Sequence, residues 1–531
     1  MRRNMLKAFA DSRKMKYSTL SLTLCAVVVA LAIILNSIVS VLASTFNWYI
    51  DMTDEQMFTL SDGAKDILED INKDVELEII FPTDKDKIVS AYSVSTTSGS
   101  IGHIHKTALE IAQECDNVSV SYHDVKKDYE FYRSINLHTY AKEDYILILR
   151  KNAEGKYVEG DFRSYPINYF FVQKSSTDTT LYAYNGELVF LSALIAMSRD
   201  TVPTVYFTIG HNEQSFEAEA TEVNYNTIMS AMAKGQINAN AYVLMSIFAD
   251  SGFTVKALDT RTNEIPKDAK MIVINQPTSD FNGDELYKLT QYLQSGGAVF
   301  CFTPHDASLP ELYSTLESSY GITVNTSASK VEDDAHKMTN GSAVHYLANV
   351  SMHDDGFASS KYFSAYSSYS SANAYYNGAG TLTIDDRFMT TKGFVTGATT
   401  KYTYPLLETA QSAKYGDKEG VFNLMSITSI DSWSNEEQHS VYSYLVVCPS
   451  SDFASSSALS LSSANKQMLL SLIQSTSSIQ TPVNLDYKPF VNYELTITDS
   501  QARTTTIILA TILPIMIAAC GVVVIVRRKH R

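Results

Sequence analysis

Two apolar stretches, one towards each end, constrain this chain more than any other feature. Leu20–Leu42 and Ile507–Val526 are each long enough to cross a bilayer as a helix, which takes about 20 apolar residues. The first follows a basic leader with Arg2, Arg3, Lys7, Arg13, Lys14 and Lys16, and the second runs into Arg527, Arg528, Lys529 and Arg531. Positive charge stays on the cytoplasmic side. The expected topology is therefore two-pass in the plasma membrane, with both termini cytoplasmic and the body between them outside. The first run exceeds the apolar region of a signal peptide and Val41-Leu42-Ala43 is a poor cleavage site, so a retained anchor is expected. Pro514 inside the second run is tolerated better in a membrane helix than in a soluble one.

At 45% hydrophobic and 11% aromatic residues, the body can build a sizeable core and divide into two or three domains. Setting aside the two basic ends leaves 32 basic against 57 acidic residues, a net of −25 over residues 17–526. That field repels nucleic acid and anionic lipid, and argues against a nucleic-acid partner. Cys25 and Cys520 fall in the apolar runs, leaving Cys115, Cys301 and Cys448 dispersed. Three scattered cysteines make neither a disulfide framework nor a zinc site.

The pattern reads as follows: a leader (1–17), a membrane helix (18–43), and a small thioredoxin-like α/β unit (44–200). A flavodoxin- or amidotransferase-like parallel-sheet domain comes next (201–325), interrupted by an irregular Ser/Tyr-rich insertion (326–440) and completed by 441–503. A second membrane helix (504–526) and a basic tail (527–531) close the chain. Ser61 is placed to cap a helix whose apolar face is Ala64, Ile67, Leu68 and Ile71. The alternation of Asp74–Phe81 predicts a strand, and a second helix is expected around Lys106–Glu114. One long helix is expected over Val223–Asp250 and another over Gly283–Gln294, stopped by Gly296-Gly297. Strands Thr204–Thr208, Phe253–Leu258, Lys270–Asn275 and Ala298–Thr303 alternate with those helices, as in a mostly parallel sheet. Asn377-Gly378 carries the signature of a hairpin turn.

The ordered blocks resemble the gliding-motility-associated (GldG-type) auxiliary proteins of ABC transporters. The matching pieces are Asp51–Ser61 with its helix, Gly186-Glu187 before an apolar helix, Val205–Glu213 (VYFTIGHNE) and Phe253–Pro277. Tyr292–Gly297 (YLQSGG), Val446–Leu461 and the Pro-containing C-terminal span complete the set. The resemblance covers most of the chain except about 326–440. It implies a membrane-anchored, non-ATPase subunit working with a separate ABC ATPase and a multi-span permease, and it supplies no substrate. Asn212 stands where family members often have a second glycine.

Gly210, His211, Asn212 and Glu213 leave the carboxyl end of a strand, where open α/β sheets bind ligands; they form the candidate ligand or partner contact. Asp51, Thr53, Leu60 and Ser61 emerge from the first span and form the candidate permease-coupling segment. Cys301 is mid-strand and Cys448 lacks a glycine elbow, so neither is expected to be a nucleophile. His103-x-His105 lacks a third metal ligand and is expected in a solvated loop; Glu332-Asp333-Asp334 with His336 is expected as a solvated face. No Walker A, Gly-x-Gly-x-x-Gly or His-Glu-x-x-His motif occurs, so no cofactor or metal is expected and ATP hydrolysis belongs to another subunit. The competing expectations are an extracellular hydrolase of amidotransferase-like fold and a surface sensor or adhesion protein.

Overall fold

The computed structural model describes residues 23–24, 26–38, 51, 56–90, 100–173, 181–217, 221–327, 329–338, 341–390, 392–434, 438–460 and 464–490. Thr53 and the second apolar run lie outside the described residues. Residues 26–38 are helical and expose Val27, Leu31, Ile34 and Ile38. Among the described residues no helix is long and apolar enough to cross a membrane.

The N-terminal unit has a four-stranded sheet ordered Val118–Tyr122, Glu76–Phe81, Tyr145–Lys151, Tyr157–Pro166. Its first two strands are parallel and the remaining pairs antiparallel. Ser61 caps Asp62–Asp70 as its sequence requires, accepting from the Ala64 N–H at 3.2 Å. Leu77, Ile79 and Phe81 face one core with Ala64, Ile67 and Leu68, while Ile80 faces a second core with Tyr132 and Leu147. Covered on both sides, this strand is buried from Leu77 to Phe81, Glu78 included, although its sequence alternates at its start.

The larger sheet has thirteen described strands and mixes both pairings. A parallel block runs Thr254–Leu258, Thr204–Thr208, Ala269–Asn275, Ala298–Phe302, His439–Cys448. It continues antiparallel through Asn423–Ser434, Thr399–Glu408, His345–Val350 and Asn373–Asn377. The stretch expected as an irregular insertion thus supplies long strands of the main sheet. Gly378 turns with φ +72°, but Asn373–Asn377 and Thr381–Ile384 pair with other strands, so no hairpin forms there.

Helices cover both faces. Tyr225–Ala233, Tyr242–Asp250 and Asn465–Ser477 pack on one, Gly283–Gln294 and Pro310–Tyr320 on the other. The single helix expected over Val223–Asp250 is broken in two, because Gly235 turns with φ +68° after Ala233. Gly283–Gln294 forms over the expected residues, and its Leu286, Leu289 and Leu293 are buried, worth roughly 1.5–3 kcal/mol each.

Candidate functional site

From the strand Thr204–Thr208 the chain moves to one side of the sheet, to Thr254–Leu258, then crosses to the other, to Ala269–Asn275. The order reverses between Thr204–Thr208 and Ala269–Asn275, which is where doubly wound sheets open a ligand crevice. Here the two loops that would flank such a crevice are stitched together. The His211 carbonyl accepts the Thr278 and Ser279 N–H groups at 2.9 and 3.1 Å, and Gln214 N–H donates to Asn275 O at 2.9 Å. Asn212 Nδ2 reaches Ser279 Oγ at 3.0 Å.

The loop conformation follows from its residues. Gly210 has φ +108°, and a Cβ there would lie 2.5 Å from the Arg261 guanidinium carbon. Asn212 has φ +57°, a left-handed turn that asparagine tolerates better than most residues. His211 is thereby directed inward, 3% exposed and stacked on Phe281 at 3.9 Å between ring centroids.

Two carboxylates hold the ring. Nδ1 lies 3.2 Å from Glu213 Oε1, and Nε2 lies 3.2 Å from Glu285 Oε2. Glu213 Oε2 also accepts the His211 N–H at 2.7 Å. Glu285 belongs to the capping box of Gly283–Gln294: it accepts the Asn282 N–H at 3.0 Å and the Thr260 hydroxyl at 2.6 Å. Both ring nitrogens face acceptors only, which favours the doubly protonated imidazolium. Burial opposes that charge, but the bonds and charges of Glu213 and Glu285 outweigh it and raise the His211 pKa. Burial likewise opposes ionisation of Glu213, and its bonds to His211 hold its pKa below the usual carboxylate value. With both nitrogens occupied, His211 is an ionic latch between loop and helix, with no nitrogen left to act as a base. Gly210 and Asn212 are the exposed part of the loop. Beside the helix runs a groove of about 770 Å³ lined by Thr260, Arg261, Lys267, Glu285, Tyr287 and Lys288. Nothing in the sequence near His211 announces Glu285; the Asn282-x-x-Glu285 capping signature was its one local signal.

The segment following the first apolar run is also built into the body. Asp51 Oδ2 accepts the Phe58 N–H at 2.7 Å, and Leu60 is 3% exposed. The Ser61 hydroxyl and N–H donate to Glu187 at 2.6 and 3.2 Å. Glu187 also pairs with Lys488, whose ammonium donates to the Gln56 and Thr59 carbonyls. Lys488–Pro489 pairs with Leu181–Tyr184, and Leu485 joins the N-terminal core. The two ends of the folded body therefore meet at one carboxylate. Ser61 and Glu187 come from two separate blocks of the family resemblance; Lys488 had no sequence signal.

The remaining candidates separate cleanly. Cys301 and Cys448 are buried on neighbouring strands, and burial pushes both thiols up to about 12. His103 and His105 do not sit in a solvated loop: Ser100 starts a helix, Ile101–Glu114, in which both are 1% exposed. The Ser100-x-x-His103 capping box was the overlooked signal. Two residues apart on a helix, they diverge, His103 into an aromatic cluster with Phe58 and Phe490, His105 to Tyr122. Asp333 is fully buried, not part of a solvated face. It accepts from Ser412 Oγ at 2.9 Å and lies 3.0 Å from His336 Nδ1. Ser412 also approaches Nδ1, the nitrogen already facing Asp333, so these three residues lack the relay of a hydrolase triad.

Residues 202–336, which span most of the parallel block and the His211 loop, match a family described as an ABC-type uncharacterized transport system. The match supports an auxiliary role in such a system. No curated protein matches the chain. Among solved structures, the mmIFT52 N-terminal domain is similar at 16% identity and TM-score 0.33, covering 51% of this chain and 96% of that one. A putative thua-like protein from Bacteroides uniformis is similar at 11% identity and TM-score 0.30, covering 54% and 97%. The exo-beta-1,4-mannosidase Op5Man5 from Opitutaceae bacterium strain TAV5 is similar at 9% identity and TM-score 0.23, covering 74% and 49%. Likenesses this low carry no argument about fold or activity.

Proposed function

We propose that this chain is a non-ATPase auxiliary subunit of an ABC transport system, of the GldG type, held in the plasma membrane by its two apolar runs. The observation that carries this reading is the match of residues 202–336 to the ABC-type transport family. The meeting of both body ends at Glu187 supports two adjacent anchors, since the segments leading to 20–42 and 507–526 leave the body from one place. The exposed apolar face of residues 26–38 supports a lipid surrounding for the first. The body would lie outside the cytoplasm, with a thioredoxin-like first unit, in keeping with the strand order of its sheet.

In this reading the partners are an ABC ATPase and a multi-span permease. The segment 51–61 carries permease motion into the body, because Glu187 ties Ser61 to the first unit. The latched loop presents Gly210 and Asn212 to a ligand or partner, with His211 and Glu213 fixing its shape from inside. The hydrolase alternative loses its two candidate thiols to burial. Purification of the tagged full-length protein in mild detergent, with mass-spectrometric identification of what accompanies it, tests the proposal. Recovery of an ABC ATPase and a permease is expected; recovery of this chain alone overturns it.

A further inference from the structure

Where the N-terminal unit meets the main sheet, six elements line a cavity of about 80 Å³. Asp250 ends the helix Tyr242–Asp250, and Lys466 lies in the first turn of Asn465–Ser477. Both are half-buried and line the cavity. Each sits at the helix end of the wrong sign, a carboxylate at the negative C-terminus and an ammonium at the positive N-terminus. Among the described residues neither side chain has a hydrogen-bond partner, and their charged atoms do not come within 4.0 Å of each other. Arg163, whose charge also acts on Asp250, is spent elsewhere: it lies over the Tyr225 ring and donates to the Ala249 and Asp250 carbonyls. The Asn185 side chain lines the same space without capping its helix, Gly186–Met197. Ser192, 4% exposed, adds a hydroxyl with no bond to another described residue. Tyr165, Tyr169 and Tyr225 form aromatic walls.

Charges set against helix dipoles, withdrawn from water and left apart bring no stability to the fold. Groups kept at such a cost mark function. We propose that this cavity binds a small zwitterion, a molecule of glycine or β-alanine size bearing one ammonium and one carboxylate. The ligand ammonium would answer Asp250 between tyrosine faces, which favour cations, and its carboxylate would answer Lys466, with Asn185 and Ser192 supplying neutral bonds. The volume accommodates several waters or a ligand of about five or six heavy atoms, and excludes a sugar. Burial, opposed by Lys466 and Arg163, raises the Asp250 pKa, and burial lowers that of Lys466; an incoming pair of opposite charges reverses both trends.

The site is independent of the transport reading, because binding is measured on the purified full-length chain alone. Equilibrium dialysis with radiolabelled glycine, and separately β-alanine, should give saturable binding of at least one probe. Asp250→Asn and Lys466→Met should each weaken it by about ten- to a hundredfold, the value of one charged hydrogen bond. Ser192→Ala, which leaves both charges in place, guards against a fold defect and should weaken binding less, with an unchanged circular dichroism spectrum. Absence of saturable binding for both probes means a water-filled cavity and overturns the proposal. So does binding that is indifferent to all three substitutions.

Discussion

Asn212 occupies a left-handed conformation, φ +57°, which glycine adopts without steric cost. The asparagine keeps that backbone and adds a bond to Ser279. Asn212→Gly should therefore be close to neutral, whereas Asn212→Ala should cost about 1–2 kcal/mol for a Cβ without the compensating amide; urea unfolding of the two variants compares them directly. The neighbouring latch gives stability a pH dependence. His211 has a folded pKa above its ordinary 6.5, so its contribution is complete below that value and is lost as pH rises through the folded pKa. Glu213 has a folded pKa below its ordinary 4.5, so its contribution is complete above that value and is lost on acidification. The wild-type protein should be most stable between these limits. His211→Gln should flatten both slopes and, by stranding two buried carboxylates, lower stability by about 3 kcal/mol at pH 6. Thermal unfolding between pH 4 and 9 measures all three effects. His211 and Glu213 stood out in the sequence because they share one loop. Glu285 did not, because it is 74 residues away and only the fold brings it to the ring.

Among elements, those built on a single periodicity were legible. Gly283–Gln294 carries leucines on one face, an asparagine cap and a glycine stop, and it forms over the expected residues. The long antiparallel strands Thr399–Glu408 and Asn423–Ser434 were not legible, because they are buried on both faces over much of their length yet are not apolar. Thr403, Ser426 and Thr428 are all fully buried within them. Two of these hydroxyls compensate each other: Thr403 Oγ1 lies 2.8 Å from Thr428 Oγ1 and donates to the Tyr320 carbonyl at 2.8 Å, while Ser426 Oγ has no partner among the described residues. Such strands read as Ser/Thr-rich loops when hydropathy is the guide. At the opposite end of the chain, Lys488–Pro489 is only two residues long, and its place is set by Glu187. Glu187→Ala should leave Lys488, 13% exposed, without its carboxylate and cost about 3 kcal/mol. Hydrogen exchange should then show loss of protection in 56–70 and 485–490 together. Protection lost in only one of them would mean that Glu187 does not join the two segments. The double change Glu187→Met with Lys488→Met should restore most of it, since a buried pair replaced by apolar groups of similar size is often neutral.

For the whole molecule, the membrane expectation rests on charge asymmetry around two apolar runs, and the folded body adds that its ends leave from one place. A body anchored this way has one membrane-proximal region and cannot turn over without crossing the bilayer, so the side on which it lies is a single, testable property. The buried cysteines make the test clean. Cys115, Cys301 and Cys448 are all buried, and burial raises each thiol pKa, to about 12 for Cys301 and Cys448, leaving almost no thiolate to react. Asn212 is exposed at the tip of the latched loop, and Asn212→Cys there places one reactive thiol on the body. In intact cells, a membrane-impermeant maleimide should label Asn212→Cys and leave the wild-type body unlabelled. Labelling that requires permeabilised cells would put the body in the cytoplasm, reverse the inferred topology, and move the proposed permease contact to the ATPase side.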